Sequence, residues 1–127
     1  MIKPHYEVVC AVIIKDDLVF CCKRNGKGEC AYKWEFPGGK KEPGETKEEA
    51  LLRKIKEELN CNINFEKFIT TVNYEYTTFS LVMHVYLCSL KDNEPILLEH
   101  KSSVWCEKDK IKKLGFLEAD KLFVHLI

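Results

Sequence analysis

A chain of 127 residues suits one domain spanning residues 1–127, and at that length folding buries roughly two thirds of the surface an unfolded chain exposes. Lys+Arg and Asp+Glu both number 20, a formal net charge of +0, so no global basic field gathers nucleic-acid polymers; a small, locally recognised molecule is the expected partner. The seven cysteines are odd in number, sit mostly in apolar runs and lack C-x2-C spacing, so they read as buried thiols of a reducing compartment. Residues 1–6 lack a signal-peptide core and no apolar run reaches about 18 residues, so the expectation is a cytoplasmic protein away from membranes, monomeric or homodimeric.

In chain order, residues 7–14 and 18–22 are runs rich in Val, Ile and Phe joined by Lys15-Asp16-Asp17, a hairpin signal. Asn25-Gly26-Lys27-Gly28-Glu29 is a loop, and Trp34-Glu35-Phe36 resumes a short strand before Pro37-Gly38-Gly39. Thr46 with Glu49 three residues on is a capping box, which starts a helix just after Gly44-Glu45-Thr46. Ala50, Leu51, Leu52, Ile55 and Leu59 then recur as one buried stripe, Glu49, Arg53 and Glu57 form a ladder of opposite charges, and Lys54, Glu57 and Glu58 share a third strip. Asn60 falls where the helix should stop in a left-handed cap. Alternation from Phe68 to Tyr76 predicts a long half-buried strand, residues 79–90 its partner, Trp105-Cys106 a brief strand and residues 118–127 a terminal helix. His84, inside an apolar strand, reads as a satisfied sheet-face histidine. The order implies an α/β fold, a mixed sheet sandwiched between helices.

The stretch from Gly39 to Cys61 concentrates the chemistry. Paired carboxylates on a helix opposite a glycine loop offer hard oxygen ligands to a divalent cation and a backbone that approaches phosphate closely. Gly39-x5-Glu45-x7-Arg53-Lys54-Ile55-x-Glu57-Glu58-x-Asn60-Cys61, preceded by Trp34-Glu35-Phe36-Pro37-Gly38-Gly39-Lys40, resembles the Nudix box G-x5-E-x7-R-E-U-x-E-E-x-G-U, where U is a bulky apolar residue. Lys54 stands where the pattern has Glu, and Asn60 where it has Gly. The whole chain is similar to MutT-like members of that family.

The resemblance implies a Nudix fold and hydrolysis of a nucleoside triphosphate, an oxidised guanine or a cytosine nucleotide, to the monophosphate and pyrophosphate with Mg2+ or Mn2+. Carried over residue by residue, it implies metal ligation by Glu58 with Glu57 beside it, the Gly39 backbone carbonyl in the same shell, and Glu99 as a further ligand or the base. Arg53 would orient the carboxylates and Glu45 tether the loop. Arg24 would contact nucleotide, Lys40 would neutralise phosphate, and Phe36, Tyr76 and Asp120 would recognise the base. Phe36 reads equally as a core aromatic, and Asp120 as an acid in the first turn of a helix. The family has an amide at position 120; an ionised carboxylate only accepts hydrogen bonds, which favours bases that present amino or imino hydrogens. Lys54 leaves two outcomes, an enzyme whose base is Glu99 or a nucleotide-binding sensor or interaction module, and a non-nucleotide diphosphate is a third class of ligand.

Overall fold

The apolar runs close into strands and leave two sheet faces to be covered. The computed structural model describes residues 2–127. In chain order it contains β1 (His5–Lys15), β2 (Leu18–Lys23), β3 (Trp34–Glu35), β4 (Gly38–Lys40), α1 (Lys47–Leu59), β5 (Ile63–Glu75), β6 (Ser80–Leu90), β7 (Ser102–Glu107), a 3-10 turn at Lys108–Lys113, α2 (Glu118–Lys121) and a 3-10 turn at Val124–Leu126. The seven strands make one mixed sheet, as expected.

β1 is the spine of that sheet. It runs parallel to β6, with His5 opposite Ser80 through Ile13 opposite Cys88, and antiparallel to β4, with Val9 opposite Gly39. Its end turns through Asp16 (φ 53°) and Asp17 (φ 63°) into β2. Both turn residues are left-handed, a two-residue hairpin geometry that aspartate tolerates. β2 pairs with β3 and β7, and β5 lies outside β6 with two register shifts.

Side chains alternate across β1, so each parity feeds a different core. Val9, Ala11 and Ile13 face α1 together with Phe20, Cys22 and Tyr86. Cys10 and Val12 face the C-terminal segment, where Ile111, Phe116, Ala119 and Phe123 close the second layer. A strand covered on both faces reads as a continuous apolar run, which is why residues 8–14 show little alternation.

Helix α1 forms as its sequence dictates. Thr46 Oγ1 accepts the Glu49 N–H at 3.1 Å while Glu49 accepts the Thr46 N–H at 2.8 Å, and Asn60 ends the helix at φ 48°. Ala50, Leu51, Ile55 and Leu59 are fully buried; each of the larger three contributes about 1.5–3 kcal/mol by leaving water. Leu52 departs from the expected stripe, 41% exposed, because it lies about 100° round the helix from Leu51. The Glu49–Arg53 rung is also missing, since Glu49 is held by the cap and Arg53 turns to Glu45 and Glu57.

The terminal helix is shorter than expected. α2 stops at Lys121 and the chain resumes as a 3-10 turn, with Phe123 (φ −123°, ψ 1°) breaking the run so that its ring enters the core. All seven cysteines are free and all but Cys106 are buried. His84 is buried and bonded to Thr71 at 2.9 Å and Glu7 at 2.8 Å, a satisfied sheet histidine as expected. Among the described residues no helix is long and apolar enough to cross a membrane.

Candidate active site

The glycines bring β4 against the spine. A Cβ at Gly38 (φ 153°) would lie 2.0 Å from the Val9 carbonyl oxygen, so only glycine lets the chain pass there. The Pro37 carbonyl accepts the Ala11 N–H at 2.9 Å, which pins the strand entering the loop. Beyond Lys40 the loop is clamped to α1 by one guanidinium. Arg53 donates from Nε to Glu45 at 2.7 Å, from Nη1 to Glu57 at 3.0 and 3.2 Å, and from Nη2 to the Lys40 carbonyl at 3.1 Å and to Glu45 at 3.0 Å. Glu45 also accepts the Glu42 N–H at 2.8 Å. The Arg53 hydrogen bonds, then the backbone one, hold the Glu45 carboxyl down to about 2.

Two cavities flank this loop and share the wall Arg24, Glu35, Gly38, Gly39 and Lys40. One, of about 420 Å3, is lined mainly by apolar and aromatic side chains, among them Phe36, Tyr76, Phe79, Leu81 and Met83, and has Asp120 in its wall. The other, of about 600 Å3, is polar and adds Arg53, Lys54, Glu58, Glu99 and His100.

Glu58 is the buried acid of the polar cavity, 5% exposed. It follows Leu51 by two helical turns and Ile55 by nearly one, so the register sets a carboxylate in the apolar stripe. Its Oε1 accepts the Gly38 N–H at 3.3 Å and its Oε2 lies 3.4 Å from Lys54 Nζ. Burial pushes the Glu58 carboxyl up to about 7, against the opposing pull of His100 and Lys54. Glu57 points elsewhere: it is exposed, held by Arg53, and outside the lining of both cavities. Glu99 is exposed at the edge of the polar cavity. Lys40 lines both cavities, with its ammonium 3.9 Å from the centre of the Tyr6 ring.

Sequence reasoning missed Glu35 and His100. Glu35 accepts from Arg24 Nη1 at 3.0 Å and bonds His100 Nε2 at 2.9 Å. His100 Nδ1 and Arg24 Nε are buried without a hydrogen-bond partner among the described residues, and both residues line the polar cavity. Burial disfavours the His100 imidazolium, yet the Glu35 hydrogen bond and charge outweigh it and raise the net value. Glu35 stood inside the quoted Trp-Glu-Phe run and His100 beside Glu99, so position along the chain was their only signal.

In the apolar cavity Phe36 is both a core aromatic and a wall residue. Its ring is 2% exposed, packed 4.9 Å from Phe116 and 5.4 Å from Phe123, yet it also lines the cavity. Tyr76 stacks on Phe79 at 4.8 Å, and its hydroxyl accepts the Ala119 N–H at 3.0 Å. Asp120 is 3% exposed and accepts the Phe36 N–H at 2.9 Å. Burial drives its carboxyl far above the usual range, with the Phe36 N–H and Arg24 opposing the rise. A protonated acid at this position would offer a donor as well as an acceptor, as the family's amide does.

Among the described residues no three His, Cys, Asp or Glu side chains converge as a ready-made metal cage. The polar cavity still offers Glu58, Glu99 and the Gly39 backbone. Mg2+ characteristically takes one or two carboxylates and completes its shell with water and phosphate oxygens, so this donor set fits an ion shared with a phosphate chain.

The description "NUDIX domain" matches residues 8–126. An 8-oxo-dGTP diphosphatase of Proteus vulgaris is 34% identical over 81% of this chain and 91% of its own length. A CTP pyrophosphohydrolase of Escherichia coli (strain K12) is 29% identical over 90% of this chain and 84% of its own. The fold of a MutT NUDIX hydrolase from Burkholderia pseudomallei superposes with a TM-score of 0.88 at 23% identity, covering 98% of this chain and 99% of that one. The chain therefore belongs to the NUDIX domain family and to its hydrolases of phosphoric anhydrides.

Proposed function

We propose that the chain hydrolyses a free nucleoside triphosphate, bearing an oxidised guanine or a cytosine base, to the nucleoside monophosphate and pyrophosphate in the presence of Mg2+ or Mn2+. The observation that carries this reading is the pair of cavities joined through Arg24, Glu35, Gly38, Gly39 and Lys40. One has the size and aromatic lining for a base, and the other has the charge for a polyphosphate. The relatives named for CTP and for 8-oxo-dGTP support that substrate class.

In the apolar cavity the base lies against Tyr76 and Phe36, and Asp120 presents both a donor and an acceptor to its edge. In the polar cavity Arg24 and Lys40 take up the charge of the phosphate oxygens. Glu58, Glu99 and the Gly39 backbone would hold the divalent ion, which supplies charge neutralisation and an acidified water. The water oxygen bonds to one phosphorus of the α–β anhydride, its proton passes to Glu99, and the bridging oxygen departs with the other phosphate. Arg53 acts as a positioning residue, since its bonds to Glu45, Glu57 and the Lys40 carbonyl fix the loop against α1. Glu57 acts through Arg53 in the same way.

A panel of intact and oxidised nucleoside triphosphates, assayed for pyrophosphate with Mg2+ and with Mn2+, tests the reading. Equimolar monophosphate and pyrophosphate from a cytosine or oxidised guanine nucleotide are expected. Binding without turnover across the panel would leave a nucleotide-binding module, and a preference for sugar diphosphates would move the substrate class.

A further inference from the structure

We infer that Lys54 is a built-in cation of the phosphate cavity, taking the place of a second protein-held divalent ion and contacting the polyphosphate directly. The inference rests on the triphosphate reading above and deepens it. Helical spacing sets residue 54 three and four positions before the paired glutamates. The Lys54 ammonium lies 3.4 Å from Glu58 Oε2 and 3.9 Å from Glu57 Oε1. An ion bound to Glu58 Oε2 in the cavity would have to displace it.

The lysine is not a free surface side chain. Its stem crosses the face of Gly39, where a Cβ would come 2.4 Å from Cε, 3.1 Å from Nζ and 3.3 Å from Cδ. Gly39 therefore keeps open the channel along which the lysine reaches the cavity, and the side chain is only 20% exposed. Swinging away would require leaving both that channel and the Glu58 carboxylate.

The surrounding charges point to the same role. Glu35 is engaged by Arg24 and His100, and Arg53 by Glu45 and Glu57. Lys54 is partnered mainly by Glu58, which it shares with the Gly38 N–H. A compact ammonium with three donors can keep one bond to Glu58 and offer the others to phosphate oxygens. Glu58 and Glu99 then serve a single ion that arrives on the substrate, in keeping with the lack of a three-donor cage among the described residues.

The test uses α,β-methylene analogues of CTP and dGTP, whose α–β linkage is not hydrolysed. Calorimetry in EDTA measures their binding to the natural chain and to the K54M, K54R and K54E variants, each checked for folding by thermal melting. The natural chain is expected to bind without metal, K54M about tenfold or more weaker, the scale of one lost charge-assisted contact, and K54R close to the natural chain. Mn2+ titrated in the presence of the analogue and read by electron paramagnetic resonance should show one more ion per chain in K54E than in the natural chain. Equal metal-free binding by K54M and the natural chain, or an unchanged Mn2+ count in K54E, overturns the inference while leaving the hydrolase reading standing. Failure of the natural chain to bind either analogue, with or without Mn2+, overturns both.

Discussion

The two cavities on either side of the Gly38–Lys40 strand are built in opposite ways. The polar one draws half of its side chains from one loop and helix, and Arg24, Glu35, Arg53, Lys54, Glu58 and His100 in it are tied into ion pairs or charged hydrogen bonds. The apolar one gathers side chains from distant parts of the chain, and Asp120, buried in its wall, takes its hydrogen bond from a backbone amide. In the polar cavity His100 and Lys54 oppose the rise that burial imposes on the Glu58 carboxyl; in the apolar one burial and Glu35 raise Asp120 against the Phe36 N–H and Arg24. Under the proposed function, the difference separates two tasks, holding a highly charged phosphate chain on one side and reading the edge of a base on the other.

Glu58→Gln tests the polar side hardest. It keeps the shape and the Gly38 contact but removes the carboxylate, and turnover should fall on the order of 10²- to 10³-fold, the scale for losing one electrostatic contact in a reacting site. The same variant has a signature in stability. Burial raises the folded Glu58 carboxyl to about 7 from an unfolded value of 4.5, so the folded state holds a proton that the unfolded state has released. Below pH 4.5 both states are protonated and the group is neutral to folding. As pH rises through this window, stability is lost, on the order of 3 kcal/mol by pH 7. Denaturant unfolding of the metal-free protein at pH 5 and pH 7 should show that decline, and Glu58→Gln should flatten it. A flat natural profile would show that Lys54 and His100 compensate Glu58 fully.

Arg53→Lys addresses the compensation itself. A lysine keeps the charge but cannot span Glu45, Glu57 and the Lys40 carbonyl together. Activity should drop about 10- to 100-fold, as when outer-shell partners of a site are lost, with the fold intact by circular dichroism. An unaffected kcat would remove Arg53 from the positioning role.

How much of each cavity could be read in advance follows the same division. Gly39, Glu45, Arg53, Lys54 and Glu58 lie in one continuous register, so loop, cap and helix period place them together before any long-range contact is known. The burial of Glu58 departs from the third strip on which spacing set it with Lys54 and Glu57, because it also falls about two turns after Leu51 and close to one after Ile55. Helical spacing anticipated the Arg53–Glu57 pair, which forms, but could not say that this pair would hold Glu57 outside the cavity, since that depends on where the Glu45 loop folds back. Glu35 and His100 lie 65 residues apart, and Phe36 and Asp120 lie 84 apart. No local period encodes such pairings. The burial that raises the Asp120 carboxyl is likewise set by the core closed over it, in which Phe123 interrupts what the charge pattern presented as a continuous terminal helix.

Asp120→Asn tests the apolar side. If the neutral acid already behaves as a donor and acceptor, the amide should preserve binding and shift the preference between guanine and cytosine nucleotides only about tenfold, the scale of one hydrogen bond re-paired. The variant also carries no titrating proton. The natural Asp120 carboxyl is raised by burial, so its contribution to stability declines as pH climbs above the unfolded value, and the variant should gain on the natural chain from pH 5 to pH 8 in thermal melts. A difference that stays constant from pH 5 to pH 8 would mean that Asp120 is ionised in the folded protein.

Tyr76→Phe should have the smallest effect and separates packing from polarity within the apolar cavity. The ring keeps its stack on Phe79, so the aromatic wall persists. The Ala119 N–H loses its acceptor at a site 1% exposed, and a buried donor left unpaired costs about 1–3 kcal/mol. That loss falls on the first turn of α2, which carries Asp120. Melting should therefore drop by a few degrees, about 1 kcal/mol moving a domain of this size by that much, and KM should rise more than kcat falls because base placement and not anhydride cleavage is disturbed. An equal fall in kcat with KM unchanged would show that the two cavities are coupled through their shared wall of Arg24 and Glu35 more tightly than their separate construction implies.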